Sequence, residues 1–262
     1  MAMRTQVLDC PVDILTAQET LQIAIRAMQT RTPCQHVALN VAKLVHARHD
    51  KELQADIRQA DIIGVDGAGI ALALRLANGE RAPRYAGADM FEDLMAMCEI
   101  YNLRPYILGA EQHVLDKAIA ILRKRHPNLQ FAGWRNGYFG DEQADVIADI
   151  RDAQPDCLFL AIPTPRKERF MARWRARLDV PFIMGIGGTI DVIAGKVNRA
   201  PSLWQKFGCE WLYRVLQEPG RMWKRYLYTN TIFAGLLAKA IVARLLHRGA
   251  PTQRRRGGDS PA

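Results

Sequence analysis

No HExxH segment, no paired Cys/His set and no DxD triplet occurs in the 262 residues, so the common zinc and nucleotide-sugar metal motifs are missing. The six histidines (His36, His46, His49, His113, His126, His247) are scattered without ligand spacing, and no metal site or cofactor is expected. The G-x-G-x-x-G dinucleotide fingerprint is absent, as is G-K-[ST], which argues against a nicotinamide-dependent oxidoreductase and a Walker-type phosphate loop. The five cysteines stand apart, none in a C-x-x-C pair, and their odd number does not suit a full disulfide framework. A reducing, cytoplasmic compartment is expected. No run of about 20 uncharged apolar residues occurs, so no ordinary transmembrane helix is expected. The first fifteen residues carry acids and a proline and no apolar core, so no signal peptide is expected.

What is present is a chain 49% hydrophobic with a formal net charge of +9. The length suits one α/β domain with an appendage better than two full domains. The charge points to an acidic partner: nucleic acid, an anionic membrane surface or phosphorylated substrates. Strand-length apolar runs at 36–40, 61–65, 105–108, 129–132, 157–162 and 181–184 alternate with helix-like segments at 42–59, 112–125, 142–153 and 166–178. That alternation predicts an α/β fold, a Rossmann-like, mainly parallel sheet flanked by helices.

Ligands in such folds lie beyond the carboxyl ends of the strands. The residues there are Asn40, then Asp66-Gly67-Ala68-Gly69, Gly109-Ala110, Pro163-Thr164-Pro165 and Gly185-Ile186-Gly187-Gly188-Thr189. Asp66 is suited to act as a general base for a hydroxyl, or equally to cap the following helix. Asn40 suits a sugar hydroxyl or loop backbone groups. The glycines at 185–188 resemble a phosphate cradle or a tight turn.

From Lys196 the character changes. Arg214, Arg221, Lys224 and Arg225 are interleaved with Trp and Tyr, a pattern that fits nucleic acid, a diphosphate or a solvated helix face. The break at Glu218-Pro219-Gly220 predicts a turn between two helices. Between Thr231 and Leu246 the apolar residues Ile232, Phe233, Leu236, Leu237, Ala240, Ile241 and Leu245 form one helical stripe, read as either a membrane-interface face or a packing face. The expected organisation is a catalytic core at 1–195, a basic helical, membrane-associating appendage at 196–248 and a disordered tail at 249–262.

Taken in order, these segments resemble the WecG/TagA/CpsF glycosyltransferase family. The matching stretches are Leu39-Asn40-Val41-Ala42-Lys43-Leu44, Asp61-Ile62-Ile63-Gly64-Val65-Asp66-Gly67, Arg84-Tyr85-Ala86-Gly87-Ala88-Asp89-Met90-Phe91, Leu108-Gly109-Ala110 and Asn136-Gly137-Tyr138-Phe139. They continue through Gly185-Ile186-Gly187-Gly188-Thr189-Ile190-Asp191, Ala194-Gly195-Lys196-Val197-Asn198-Arg199-Ala200-Pro201, Glu210-Trp211-Leu212-Tyr213-Arg214, Gln217-Glu218-Pro219 and Lys224-Arg225-Tyr226-Leu227.

The resemblance implies an inverting, metal-independent transfer from a UDP-sugar to a polyprenyl-diphosphate-linked sugar, forming a β-linkage at the cytoplasmic face of a bacterial inner membrane. The UDP-sugar is a substrate, not a cofactor, and nucleic acid is not an implied partner. Asp66 matches the family's proposed base, and Asn40 and Arg84 match other active-site positions. Gly109, Ala110, Tyr138, Gly187, Gly188, Asp191, Arg214 and Arg221 fall in the stretches expected to bind substrate, the two arginines contacting a diphosphate. Self-association linked to membrane docking is also implied. Two departures bear on the donor: Ala38 stands where many members have Thr, and Thr164-Pro165-Arg166-Lys167-Glu168 where many have SPKQE. The family spans N-acetylmannosaminyl, N-acetylmannosaminuronosyl and glucosyl transferases, the last including a xanthan-type exopolysaccharide branch. Lys167 tilts the expectation toward a hexose donor such as UDP-glucose.

Overall fold

A computed structural model describes residues 3–140 and 143–248, apart from the side chains of Lys206, Arg221, His247 and Arg248; the tail expected to be disordered lies outside the described residues. The chain opens with an antiparallel hairpin, β1 (Met3–Val7) and β2 (Cys10–Ile14). Six parallel strands follow: β3 (Cys34–Leu39), β4 (Ile62–Val65), β5 (Pro105–Gly109), β6 (Gly133–Arg135), β7 (Cys157–Ala161) and β8 (Phe182–Gly185). Their lateral order is β4-β3-β8-β7-β5-β6. The chain thus builds one edge, crosses to build the other, and fills the middle last. The hairpin is tied to the β4 edge by buried Asp13, which accepts from the Ile63 N–H at 2.7 Å and pairs with Arg4 at 2.8 Å. An edge strand covered in this way offers little backbone for pairing with another chain.

The central strands are mostly apolar because both sheet faces are covered, with buried Gln35 and His36 of β3 the exceptions. Along β7, Cys157, Phe159 and Ala161 face one core while Leu158 and Leu160 face the other, the period-2 alternation of a pleated strand. The first core is closed by α1 (Ala17–Thr30), α5 (Gly87–Ile100), α6 (Gln112–Arg125) and the short α9 (Thr189–Ile193). The second is closed by α2 (Val41–His49), α3 (Lys51–Arg58), α4 (Ala68–Ala73), α7 (Ala144–Asp152) and α8 (Arg166–Leu178). A π-helical turn, Leu74–Asn78, continues α4. The predicted helix at 42–59 is two helices, because Asp50 turns extended and its carboxylate accepts the Leu53 N–H at 2.9 Å, capping α3. The run at 129–132 is not a strand; residues 133–135 instead register with Tyr106–Leu108.

Three helices follow: α10 (Ser202–Lys206), α11 (Glu210–Gln217) and α12 (Pro219–Arg248); the turn expected at 218–220 is at Glu218 alone, with Pro219 and Gly220 already in α12. The apolar stripe of α12 docks on the protein itself. Phe233 and Leu237 are buried in the second core, with Ile232, Leu236 and Ile241 packed against it. Arg244 donates to the carbonyls of Arg75 and Leu76 at 3.1 and 2.8 Å, tying α12 to the open end of the π turn. The sequence pattern could not separate lipid from core, since either solvent selects the same stripe. By length and composition alone, Met222–Leu246 is also sufficient to cross a membrane, its most apolar stretch of 18 residues having mean hydropathy 1.4.

Gly109 closes β5 at φ +139°, and a Cβ there would stand 2.4 Å from the Ala161 carbonyl. Gly109→Ala is expected to cost at least about 1–3 kcal/mol, lowering the midpoint of thermal unfolding by circular dichroism by several degrees. An unchanged midpoint would show that the strand end relaxes freely.

Candidate active site

Asp66 follows the last residue of β4, and each of its polar groups is held. Its N–H donates to the Leu39 carbonyl at 3.1 Å, fixing it against the end of β3. Its Oδ1 accepts from the Gly87 N–H at 2.8 Å, the first N–H of α5. Its Oδ2 accepts from Asn40 Nδ2 at 3.3 Å. The cap alternative therefore resolves in an unexpected way: the next helix, α4, is preceded by Gly67 with no side-chain cap, and the Asp66 carboxylate caps α5 instead. Asn40 fills the backbone role, its Oδ1 accepting the Lys43 N–H at 3.0 Å as the cap of α2, and its amide adds a contact to Asp66 that the sequence did not mark. Gly87 is suited to this crowding, lying near Met184, Ala38 and the Asp66 carboxylate.

Arg84 completes this group. Its Nε donates to the Asp66 carbonyl at 2.9 Å and its Nη1 to the Gln205 carbonyl at 3.1 Å, while Nη2 pairs with Glu210 of α11. Asp66, Asn40 and Arg84, singled out separately in the sequence, thus form one connected cluster. Glu210 was not anticipated; its spacing of four from Arg214 was the available signal.

The remaining candidates gather at the carboxyl ends of β5, β6 and β8. Gly109 and Ala110 (φ +59°) make a tight turn, and the Ala110 carbonyl accepts the Gly137 N–H at 3.0 Å. Gly187 takes φ +54° with open space beside it. The Arg214 guanidinium stands 3.3 Å from the position a Gly188 Cβ would occupy, and Asp191 Oδ2 stands 3.7 Å from it. Exposed Tyr138 donates to Glu111 at 3.4 Å, Glu111 pairs with Lys196 at 3.3 Å, and Lys196 approaches Asp191 at 3.9 Å. Those two linking residues, Glu111 and Lys196, were also missed. Arg221 lies on α12, but its side chain is outside the described residues.

Between the two groups lies a buried charge cluster. Glu168 Oε1 is 3.1 Å from Lys43 Nζ and 3.0 Å from Lys167 Nζ. Lys43 also donates to the Ala38 carbonyl at 2.6 Å, and Lys167 donates to the Thr164 hydroxyl. Burial, with repulsion from Lys43, pulls the Lys167 ammonium down to about 8. Burial raises the Glu168 carboxyl, but the two ammonium groups outweigh it and leave Glu168 below its ordinary value. Gly185 makes room for the Lys167 stem, which would lie 2.7 Å from a Cβ. Lys167 is thus spent inside the protein, which weakens it as a contact to a hexose. Nearby His36 is also buried; burial first, then Lys43, lowers it to about 4, so it is neutral at physiological pH. Two surface cavities lie elsewhere: about 150 Å³ between the β1–β2 turn and α2, and about 600 Å³ near Pro33 and Pro181 at the amino ends of β3 and β8. No group of three or more His, Cys, Asp and Glu arranged as a metal site occurs among the described residues.

Glu168→Gln keeps the shape but strands two ammonium groups in low dielectric. Removing one partner of a buried ion pair costs about 3–5 kcal/mol, and urea denaturation should show a loss of this order. A loss under about 1 kcal/mol would mean that water screens the cluster.

The model of the "Glycosyl transferase WecG/TagA/CpsF family" matches residues 5–246. The chain is similar to an N-acetylglucosaminyldiphosphoundecaprenol N-acetyl-beta-D-mannosaminyltransferase of Bacillus spizizenii, 33% identical over 181 residues, covering 69% of this chain and 70% of the relative. It is likewise similar to the Bacillus subtilis protein of the same description, 32% identical over 178 residues, covering 68% and 69%. With a parallel α/β sheet, a carboxylate–amide–guanidinium cluster at its carboxyl ends and a match over nearly its whole length, the chain belongs to the WecG/TagA/CpsF family of glycosyltransferases.

Proposed function

We propose that the protein transfers a sugar from a UDP-sugar to a polyprenyl-diphosphate-linked sugar with inversion, giving a β-linked lipid-linked disaccharide for a surface or exopolysaccharide. The relatives' descriptions support the acceptor class. The observation that carries the mechanism is the Asp66 carboxylate, fixed by one N–H on each oxygen and retaining lone pairs for a third donor. An acceptor hydroxyl gives its proton to Asp66 as its oxygen attacks the anomeric carbon from the face opposite UDP. The bond from that carbon to the UDP oxygen breaks, and UDP leaves as a diphosphate. The Gly188 backbone N–H and the Arg214 guanidinium compensate the leaving charge without a metal, the Gly187 N–H being held by the Leu160 carbonyl. Asn40 holds the carboxylate in register, and Arg84 binds a phosphate. The similarity to N-acetylmannosaminyltransferases favours N-acetylmannosamine as the sugar, so UDP-N-acetylmannosamine and UDP-glucose are the first two donors to offer.

Asp66→Asn preserves size but cannot take the proton. Transfer to a short-chain prenyl-diphosphate sugar, followed by mass spectrometry, should fall on the order of 10²–10⁴-fold while UDP binding persists. Near-wild-type turnover in the folded variant would remove Asp66 from this role.

The appendage also suits peripheral docking on an anionic membrane at the cytoplasmic face. Trp223, Leu227, Val242 and Leu246 of α12 are exposed, as is Leu245 of the expected stripe; Lys224 and Lys239 are exposed as well, and the helix contains no Asp or Glu. Leu203, Phe207 and Leu216 on the neighbouring segments are exposed as well. Since the buried stripe is needed for folding, the test must spare it. Leu227→Glu combined with Val242→Glu is expected to abolish flotation with phosphatidylglycerol liposomes without lowering the unfolding midpoint; unchanged flotation would refute this face.

A further inference from the structure

We infer that Glu210 is the intramolecular counter-ion that holds the anion position of Arg84 until a substrate diphosphate takes it. This deepens the reading of the site as a sugar-diphosphate transferase and rests on it.

The Arg84 guanidinium is half-buried and all three of its nitrogens are engaged, on the Asp66 carbonyl, the Gln205 carbonyl and the Glu210 carboxylate. The first bond ties it to the same residue whose carboxylate is proposed as the base. An anion on Arg84 therefore lies beside the reacting centre. In this structure the anion is supplied by the protein. With Nε and Nη1 held by the two carbonyls, only Nη2 faces Glu210, and a phosphate oxygen can take that charge-assisted contact only in place of the carboxylate oxygen, so the two compete for one position.

The helix that carries Glu210 makes the competition consequential. Glu210 opens α11, and Arg214, one turn later, stands by Gly188 and Asp191. Arg84 lies beside the end of β4 and Gly188 beyond β8, with β3 between them. By strand spacing those points are roughly 10 Å apart. One turn of α11 and two long side chains thus span the mouth of the crevice, carboxylate at one end and guanidinium at the other. The Gly208 turn before α11 sits on Ala68, where a Cβ would come within 2.4 Å, so the strap is seated against the loop that follows Asp66. A diphosphate arriving at Arg84 displaces Glu210 while Arg214 remains at the Gly188 end to receive charge.

The diphosphate belongs either to the nucleotide or to the prenyl acceptor, and the test separates them. Affinities of UDP, uridine and geranyl diphosphate are measured by calorimetry for the wild type, Glu210→Gln, Glu210→Asp, Arg84→Gln and the Arg84→Gln/Glu210→Gln double variant, each checked for folding by its melting curve. Removing the competing carboxylate is expected to tighten a diphosphate ligand about three- to tenfold, with Glu210→Asp smaller in the same direction and uridine unmoved. Arg84→Gln is expected to weaken that ligand about tenfold or more, and the double variant to match Arg84→Gln alone. Tightening of UDP alone assigns the position to the donor, and tightening of geranyl diphosphate alone to the acceptor; either supports the inference. If Arg84→Gln weakens binding but neither Glu210 variant tightens it, Glu210 is merely structural and the inference fails with the site reading intact. If the wild type binds neither diphosphate, the reading of the site itself falls.

Discussion

The proposed transfer depends on one carboxylate being satisfied twice without being used up. Asp66 receives the opening N–H of α5 on one oxygen and the Asn40 amide on the other. These bonds fix its orientation, yet two neutral donors leave lone pairs on its oxygens free for a further donor. The elements that supply them come from three places in the chain: the cap of α2, the end of β4 and the start of α5. Parallel β3 and β4 put the first two side by side, and Arg84, just before α5, ties the third to the Asp66 carbonyl.

Behind this group the fold accepts an expensive feature. Lys43, Lys167 and Glu168 place two positive charges and one negative at the carboxyl ends of β3, β7 and β8, almost out of reach of solvent. Burial of such groups is costly unless they are paired and hydrogen-bonded. Lys43 also links the cluster to the site, because its N–H is capped by Asn40 while its ammonium holds the end of β3. The same residue therefore anchors the amide that orients Asp66. Positive charge also gathers on the appendage side, where Arg214 reaches Gly188 and Arg225 acts on both His46 and Lys167.

The strand-and-helix alternation was legible because most core strands end in an apolar run before turn residues, while the short edge strand β6, Gly-Trp-Arg, carries no such run and was misplaced; the crevice was legible because ligand chemistry collects where those runs end. Residues with an unusual side chain at a strand end, Asp66 and Asn40, could be found on that ground alone. The resemblance to a known family supplied Arg84, Tyr138 and Asp191, which no spacing marked. The structure supplied what depends on long-range contacts: Glu210 pairing with Arg84, Glu111 with Lys196, and Glu168 with Lys43, each pair far apart in sequence. The α12 stripe shows the limit most clearly. A 3.6-residue apolar period reports that a face is withdrawn from water, not what withdraws it, and here the protein core does so while a second, less regular apolar face is left exposed.

The central claim is that the Asp66 carboxylate shares its crevice with the bound nucleotide. A crystal structure of the protein soaked with UDP tests it most directly. The diphosphate should lie against the Gly187–Gly188 backbone and Arg214, with the Asp66 carboxylate facing the open space beyond the distal phosphate. UDP bound at the amino ends of the strands, or with Asp66 walled off from its phosphates by protein, would contradict it.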